Sequence, residues 1–263
     1  MPKRAPRFDA ESVRATWDRA ADAWAEGQGA GRDFYRYEFF GPAHVTLCGE
    51  VSALRLLDVG CGNGYLSREL ASRGARVVGI DVAPRMIAHA ERSEAERPLG
   101  IRYRVLDAAA LPADLEPASF DLATSCLALQ DMADIPAALR GVYTLLRPGG
   151  RFVASITHPC TDTPHREWER GDGGAKRWLC IDRYFERGAL QFEWTTWGDQ
   201  PFTTEAFHAT LEDWFQWILE AGFLVGGVRE PRPSEEAIRR RPELEDAARV
   251  PYYLFFDLRR PSD

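Results

Sequence analysis

Three glycines at alternate positions, Gly60, Gly62 and Gly64, stand between an apolar run and a helix-forming stretch. Backbone without side chains turns sharply and lets a ligand lie against it. A helix that follows such a turn aims its free N–H groups at that ligand. Seventeen residues past Gly64, Asp81 closes a second apolar run, Val77-Val78-Gly79-Ile80. An acidic residue about twenty positions beyond the first glycine suits hydrogen bonds to a ribose diol. A glycine loop alone says little, but loop, flanking strands and spaced acid together point to a nucleoside ligand. Asp107 ends a third run, Ile101 to Leu106, and a carboxylate there lies on the ligand face of a parallel sheet. For acid–base work the candidates are His158 and His208, at either end of an aromatic segment that should meet the sheet.

The elements that must position these groups can be read from periodicity. Leu54, Leu56, Leu57 and Val59 predict a strand covered on both faces. Tyr65 to Arg73 and Ala83 to Arg92 predict helices, the first stopped by Gly74, the second with Pro84 in its first turn. Phe120 to Cys126 predicts a fourth strand with Ser125 and Cys126 at its carboxyl end. Asp131 then precedes a helix, Ile135 to Leu146, as a helix cap or a base. Pro148-Gly149-Gly150 is turn chemistry ahead of a fifth strand through Thr157. Asp9 to Ala25 carries Val13, Trp17, Ala20, Ala21 and Trp24 on one helical face, docking on the domain or lidding its site. Residues 1 to 8 read as a frayed tail. From Thr161 to Ala209 the alternation of strand and helix breaks. Leu190 to Trp197, a turn at Gly198-Asp199, and Gln200 to Ala209 predict two antiparallel strands rich in rings. Such rings over the sheet's carboxyl ends would form an apolar pocket. Thr210 to Asp213 is a capping box for a helix burying Leu211, Phe215, Ile218 and Leu219. Phe223 to Val228 and Pro251 to Leu258 predict the last two strands, the final one antiparallel.

The loop is not that of a dinucleotide binder, which wants G-x-G-x-x-G beneath a pyrophosphate. Three positions after Gly62 stands Tyr65, and the pattern is D-x-G-x-G-x-G with Asp58 leading. This resembles motif I of the class I S-adenosylmethionine-dependent methyltransferases. The resemblance runs from about Trp17 to the C-terminus. It is carried by Asp58 to Gly64, Val77 to Asp81, Val105 to Pro112, Phe120 to Ser125 and Leu145 to Phe152, in that order. It implies S-adenosylmethionine as cofactor and a Rossmann-like, doubly wound α/β fold with seven mostly parallel strands. It also implies roles. Asp58, Gly60, Cys61, Gly62, Asn63 and Gly64 would form the cofactor loop, and Val82 and Met86 would flank the adenine. Asp107 would accept from the adenine amino group beside the Ala108 N–H, while Tyr35 or Arg36 would reach the methionine end. Ser125 and Cys126 would lie at the methyl-transfer face. His158-Pro159-Cys160 resembles a bacterial subgroup of small-molecule methyltransferases.

The expected organisation is an N-terminal helical lid over residues 1–50 and a cofactor-binding domain over 51–263, with the cap inserted at about 160–209. Net charge is −7 over 263 residues, which argues against a broad nucleic-acid surface. No Asn/Asp-Pro-Pro-aromatic motif follows the fourth strand, as nucleic-acid amino methyltransferases often show. A small, aromatic or apolar metabolite is therefore the expected acceptor, in a monomer or homodimer. A tRNA or nucleic-acid methyltransferase, an NAD-dependent oxidoreductase and a non-catalytic binder are the alternatives. The five cysteines form no C-x-x-C pair, so neither a metal nor a disulfide framework is expected. Neither a signal core nor a bilayer-length apolar run is read, which makes the cytoplasm the default and a membrane an unexpected partner.

Overall fold

The computed structural model describes residues 3–5, 7–111, 115–195 and 201–262. Pro112, Trp197 and the Gly198-Asp199 turn lie outside the described residues.

The elements run in chain order as β1 (Lys3–Arg4), α1 (Ala10–Gly29), α2 (Gly41–Cys48), β2 (Arg55–Val59), α3 (Tyr65–Ser72), β3 (Arg76–Asp81), α4 (Pro84–Glu96) and β4 (Arg102–Val105). Then come β5 (Phe120–Cys126), α5 (Ile135–Leu145), β6 (Leu146–Thr157), β7 (His165–Arg170), β8 (Lys176–Asp182), β9 (Gly188–Trp194) and β10 (Phe202–His208). The chain closes with α6 (Leu211–Glu220), β11 (Leu224–Arg229), α7 (Glu235–Arg240), α8 (Glu245–Arg249) and β12 (Tyr253–Arg259). A π-helical turn, Arg36–Phe40, leads into α2.

The central sheet has seven strands in the order β11-β12-β6-β5-β2-β3-β4. Only β12 runs against the rest, pairing antiparallel with both β11 and β6. Successive side chains on a strand face opposite ways, and the core divides accordingly. Leu57, Ala123 and Phe152 join the cluster under α5 and α6. Their neighbours Leu56, Leu122 and Val153 join the cluster under α2 and α3. Strands covered on both faces need such uninterrupted apolar runs. The order reverses direction between β5 and β2, so a crevice opens at the carboxyl end of β2, where open α/β sheets bind ligands.

Several expectations shift. Residues 3–4 are not a free tail: they add a strand to β9 of the cap. The cap has two parts, a sheet of β1, β9 and β10, and a separate β7–β8 hairpin that the sequence did not suggest. Pro148-Gly149-Gly150 lies inside the long β6 rather than before it, with Gly149 at φ 76°. Thr210 and Asp213 form the expected capping box of α6, but Trp214 and Ile218 are its buried residues. Leu211 and Phe215 pack partly buried against the core as expected, while Leu219 is 57% exposed and Trp214 takes its place in the buried stripe. The polar segment Pro231 to Arg249 between the last two strands carries α7 and α8.

Candidate active site

The crevice is built outward from β2. Asp58, near the end of that strand, is buried and accepts a hydrogen bond from Ser67 Oγ at 2.6 Å. Burial pushes its carboxyl up to about 7, against the pull of that bond. The loop after it is tied to β3: the Gly60 and Cys61 N–H groups both donate to the Ile80 carbonyl at 2.9 Å. Gly62 sits at φ 54°, and a Cβ built there would meet nothing within 4 Å, so its open side is the crevice itself. Gly64 differs. It starts α3 at φ 89°, and a Cβ would lie 2.5 Å from the Tyr103 hydroxyl, which makes it a packing residue rather than a lining one.

Asp81 does more than wait for a sugar. One carboxyl oxygen accepts from the Gly62 N–H and the other from the Ala83 N–H, both at 2.9 Å. It thereby fixes the glycine loop to the start of α4. A carboxylate has about four acceptor positions, so two remain for hydroxyls. Burial raises its pKa while these backbone bonds hold it down. Asp107 caps the short turn after β4 by accepting from the Ala109 N–H at 2.9 Å. Val82, Met86, Leu106, Asp107 and Ala108 line one wall.

The opposite end is held by Arg36, whose Nε lies 2.6 Å from Asp33. Its guanidinium stacks 5.1 Å over the Phe40 ring and 5.3 Å over the Tyr65 ring. The π-helical turn that begins at Arg36 thus presents a buried cation to the crevice. Between these ends lie Cys126, the last residue of β5, and Leu127, Ala128, Asp131 and Met132, which follow it.

Helix α1 is the roof. Asp9 caps it reciprocally with Ser12, and Ala10, Val13, Trp17 and Trp24 look down into the crevice. Asp18 accepts from the Arg85 N–H at 2.8 Å and Asp22 meets His89 at 2.8 Å, so the roof rests on α4. At its far end the buried Gln28 amide reaches across. With its oxygen toward Trp24 Nε1 and Arg36 Nε, both at 3.1 Å, its nitrogen donates to Asn63 Oδ1 at 2.9 Å. Trp24 also packs edge-on against Trp194 and Phe202, 5.6 and 6.2 Å between centroids. The cap rings therefore back the roof instead of lining the crevice.

The structure thus brings together Arg36, Asp58, Gly60, Cys61, Gly62, Asn63, Asp81, Val82, Met86, Asp107, Ala108 and Cys126. Five expected site residues sit elsewhere. Gly64 packs on Tyr103, as described. Tyr35 stacks on Tyr252 6.0 Å away, beside Asp246. Adjacent residues on a helical turn diverge by about 100°, so Arg36 and Tyr35 cannot share a direction. Ser125 is fully buried within β5 and is not among the crevice-lining residues. His158 is buried between Glu230, 3.0 Å from its Nε2, and the Cys160 N–H, which donates to its Nδ1 at 3.2 Å. Burial lowers its pKa against the opposing pull of Glu230. His208 faces backbone carbonyls of Asp162 and Tyr184 at 3.1 and 2.9 Å. His158 ties the end of β6 to the residue after β11, His208 ties β10 to the loops before β7 and after β8, and neither is among the crevice-lining residues. Gln28, Tyr65, Leu127 and Met132 carry no pattern that sequence reasoning could have singled out. Asp131 was legible only as an ambiguity, and Asp134 resolves half of it by capping α5 through the Ala137 N–H at 2.9 Å.

Residues 57–154 match a family model described as a methyltransferase domain. The crystal structure of an S-adenosylmethionine-dependent methyltransferase from Mesorhizobium loti superposes with a TM-score of 0.70 at 31% identity, covering 83% of this chain and 96% of that one. A ubiquinone biosynthesis O-methyltransferase from Xanthomonas euvesicatoria pv. vesicatoria is 33% identical over 135 residues, 51% of this chain and 56% of that protein. This chain therefore aligns with little more than half the length of that curated relative. An uncharacterized protein from Haemophilus influenzae is 27% identical over 83% of this chain and 86% of its own length. Glycine loop, spaced carboxylates, strand order and a relative matched along nearly its whole length agree: the chain belongs to the class I S-adenosylmethionine-dependent methyltransferases.

Proposed function

We propose that this enzyme methylates a small, aromatic or apolar metabolite, with oxygen the first acceptor atom to test. The single observation that carries the reading is the roof: Val13, Trp17 and Trp24 of α1 close over the crevice opposite Leu127 and Met132. Such a covered, largely apolar space suits a small molecule with a few polar handles, and a polymer would need an open track. The O-methyltransferase named among the relatives supports oxygen as the first choice.

The residues present fit the cofactor. Gly62 has no atom within 4 Å of its open side, so a ligand can lie on the backbone there. Asp81 would take the ribose hydroxyls, Val82 and Met86 the faces of the adenine, and Asp107 with the Ala108 N–H its edge. Arg36 would hold the amino-acid carboxylate, its charge supported and its geometry set by Asp33. When bound, S-adenosylmethionine supplies a methyl group already activated by a sulfonium. What the chain itself must do is align the acceptor and exclude water, and α1 performs both. Placing proton transfer on His158 or His208 gains no support, since the ring nitrogens of both are engaged in scaffold contacts.

Calorimetry with S-adenosylhomocysteine tests the reading. Asp81→Ala is expected to weaken binding roughly 10- to 100-fold, the range for losing charge-assisted hydrogen bonds of about 1.5–3 kcal/mol. No heat with that nucleoside, but heat with NAD, would reverse the assignment.

A further inference from the structure

A buried amide at the end of the roof meets three elements that line the crevice. Gln28 is 5% exposed. Its side chain reaches Trp24 of α1, Arg36 of the π-helical turn and Asn63 of the glycine loop. The Arg36 contact falls on Nε, with the Gln28 oxygen at 3.1 Å and Asp33 Oδ2 at 2.6 Å. Nε carries a single hydrogen, and the Nη groups carry the other donors of the fork. Asp33 and Gln28 therefore share that hydrogen and hold the guanidinium by one edge. The rings of Phe40 and Tyr65 lie 5.1 and 5.3 Å from it. The backbone beneath is fixed as well, because the Gly41 N–H donates to the Arg36 carbonyl and closes the π-helical turn. A Cβ at Gly41 would lie 2.4 Å from that carbonyl oxygen and 2.7 Å from the Tyr65 hydroxyl, so the turn closes only on glycine. Among the described residues the Nη groups of Arg36 make no hydrogen bond, and Arg36 lines the crevice. Held by edge, rings and backbone, it keeps those donors for a ligand.

We propose that Gln28 is a positioning residue: by engaging Nε from the roof it aims the paired Nη groups of Arg36 into the crevice, and so makes the site select nucleosides that carry a carboxylate. The inference rests on the cofactor reading above, which gives Arg36 to the amino-acid end of the donor. A planar fork meets a carboxylate through two parallel N–H···O bonds, and that pairing depends on its orientation. Without the Gln28 amide, Asp33 alone holds Nε, and a single tether leaves the fork free to rotate about it. A nucleoside that lacks the amino-acid chain makes no use of the fork. Positioning by Gln28 thus acts on one end of the donor and not on the other. Simple support of the roof differs, since a loosened roof uncovers adenine, ribose and amino acid alike.

Calorimetry with two ligands separates these roles, and it needs no acceptor. S-adenosylhomocysteine is compared with methylthioadenosine, which keeps the adenine, the ribose and the sulfur but lacks the amino-acid chain. The wild type is expected to prefer S-adenosylhomocysteine by roughly 10- to 100-fold, the range for charge-assisted hydrogen bonds. Gln28→Met follows the same unbranched stem and removes the amide. It is expected to cut that preference about tenfold by weakening S-adenosylhomocysteine, with methylthioadenosine held within about twofold of the wild type. A folded Gln28→Met protein with an unchanged preference overturns the proposal. So does one that loses both nucleosides by the same factor, which would make Gln28 a support of the roof alone. Equal affinity of the wild type for the two nucleosides overturns it without recourse to any variant, and leaves the glycine loop and Asp81 as the cofactor site. Binding of neither nucleoside overturns the cofactor reading, and this inference with it.

Discussion

Asp81 and Asp131 differ in what their oxygens already do. Asp81 spends two acceptor positions on the Gly62 and Ala83 N–H groups, so its removal loosens the loop as well as the sugar contact proposed for it. Asp131 carries no such duty. A third buried group, His44, belongs to the scaffold behind the crevice. It bridges Ser155 Oγ at 3.0 Å and Thr124 Oγ1 at 2.7 Å, joining α2 to β6 and β5. Burial, helped by the charge of Arg36, pushes its imidazole from 6.5 down to about 3. The unfolded chain then binds a proton that the folded chain refuses. Stability is fully present above pH 6.5 and falls as pH drops toward 3, by up to about 1.4 kcal/mol per pH unit. His44→Gln is expected to flatten the slope of urea midpoint against pH in that window. An unchanged slope would show that His44 does not set it.

At the scale of elements, α1 is the piece whose position decides whether there is an active site. Its own propensity does not hold it there; three anchors do. Asp18 and Asp22 fasten it to α4, Gln28 fastens its end to Asn63, and Trp24 is wedged against Trp17, Trp194 and Phe202. Aromatic pairs of this edge-on kind contribute about 0.5–1.5 kcal/mol each beyond their burial. Trp24→Ala should therefore free the roof without unfolding the sheet. Amide exchange is expected to rise across residues 10–29 and stay unchanged in β2 and β5, with affinity for S-adenosylhomocysteine reduced about tenfold. Faster exchange in β2 and β5 would mean that the ring supports the core itself. The cap belongs to the same argument, since β9 and β10 reach the ligand space through Trp24.

For the whole molecule, ligand and fold are coupled because the crevice is assembled from widely separated segments: α1, the turn at Arg36, and the ends of β2, β3, β4 and β5. Unfolding scatters all of them, so the unfolded chain has no site to offer. S-adenosylhomocysteine at a hundred times its Kd should then stabilise the protein by about 2.7 kcal/mol, or roughly 5–10 °C in Tm. A rise in urea midpoint without change in slope would confirm a simple mass-action effect; no rise at saturating ligand would contradict a preformed site. Among the described residues no helix is long and apolar enough to cross a membrane.

The sequence by itself determined the sheet and the wall of the crevice built on the glycine loop. Strands buried on both faces must be apolar throughout, and a backbone that approaches a ligand must lack side chains, so Leu56 to Gly62 and Val77 to Asp81 announce themselves locally. Asp9 and Thr210 declared two helix starts for the same reason, since a cap acts within one turn. Tertiary structure alone decided the other wall. Whether Tyr35 or Arg36 faces the crevice depends on the angle at which a π-helical turn docks. Whether His158 and His208 meet a substrate or a scaffold partner depends on Glu230, Tyr184 and Asp162, which are up to 72 residues away along the chain. Pattern within a window reports what a residue can do; which partner it meets is set by contacts between distant segments, and those are written in no local spacing.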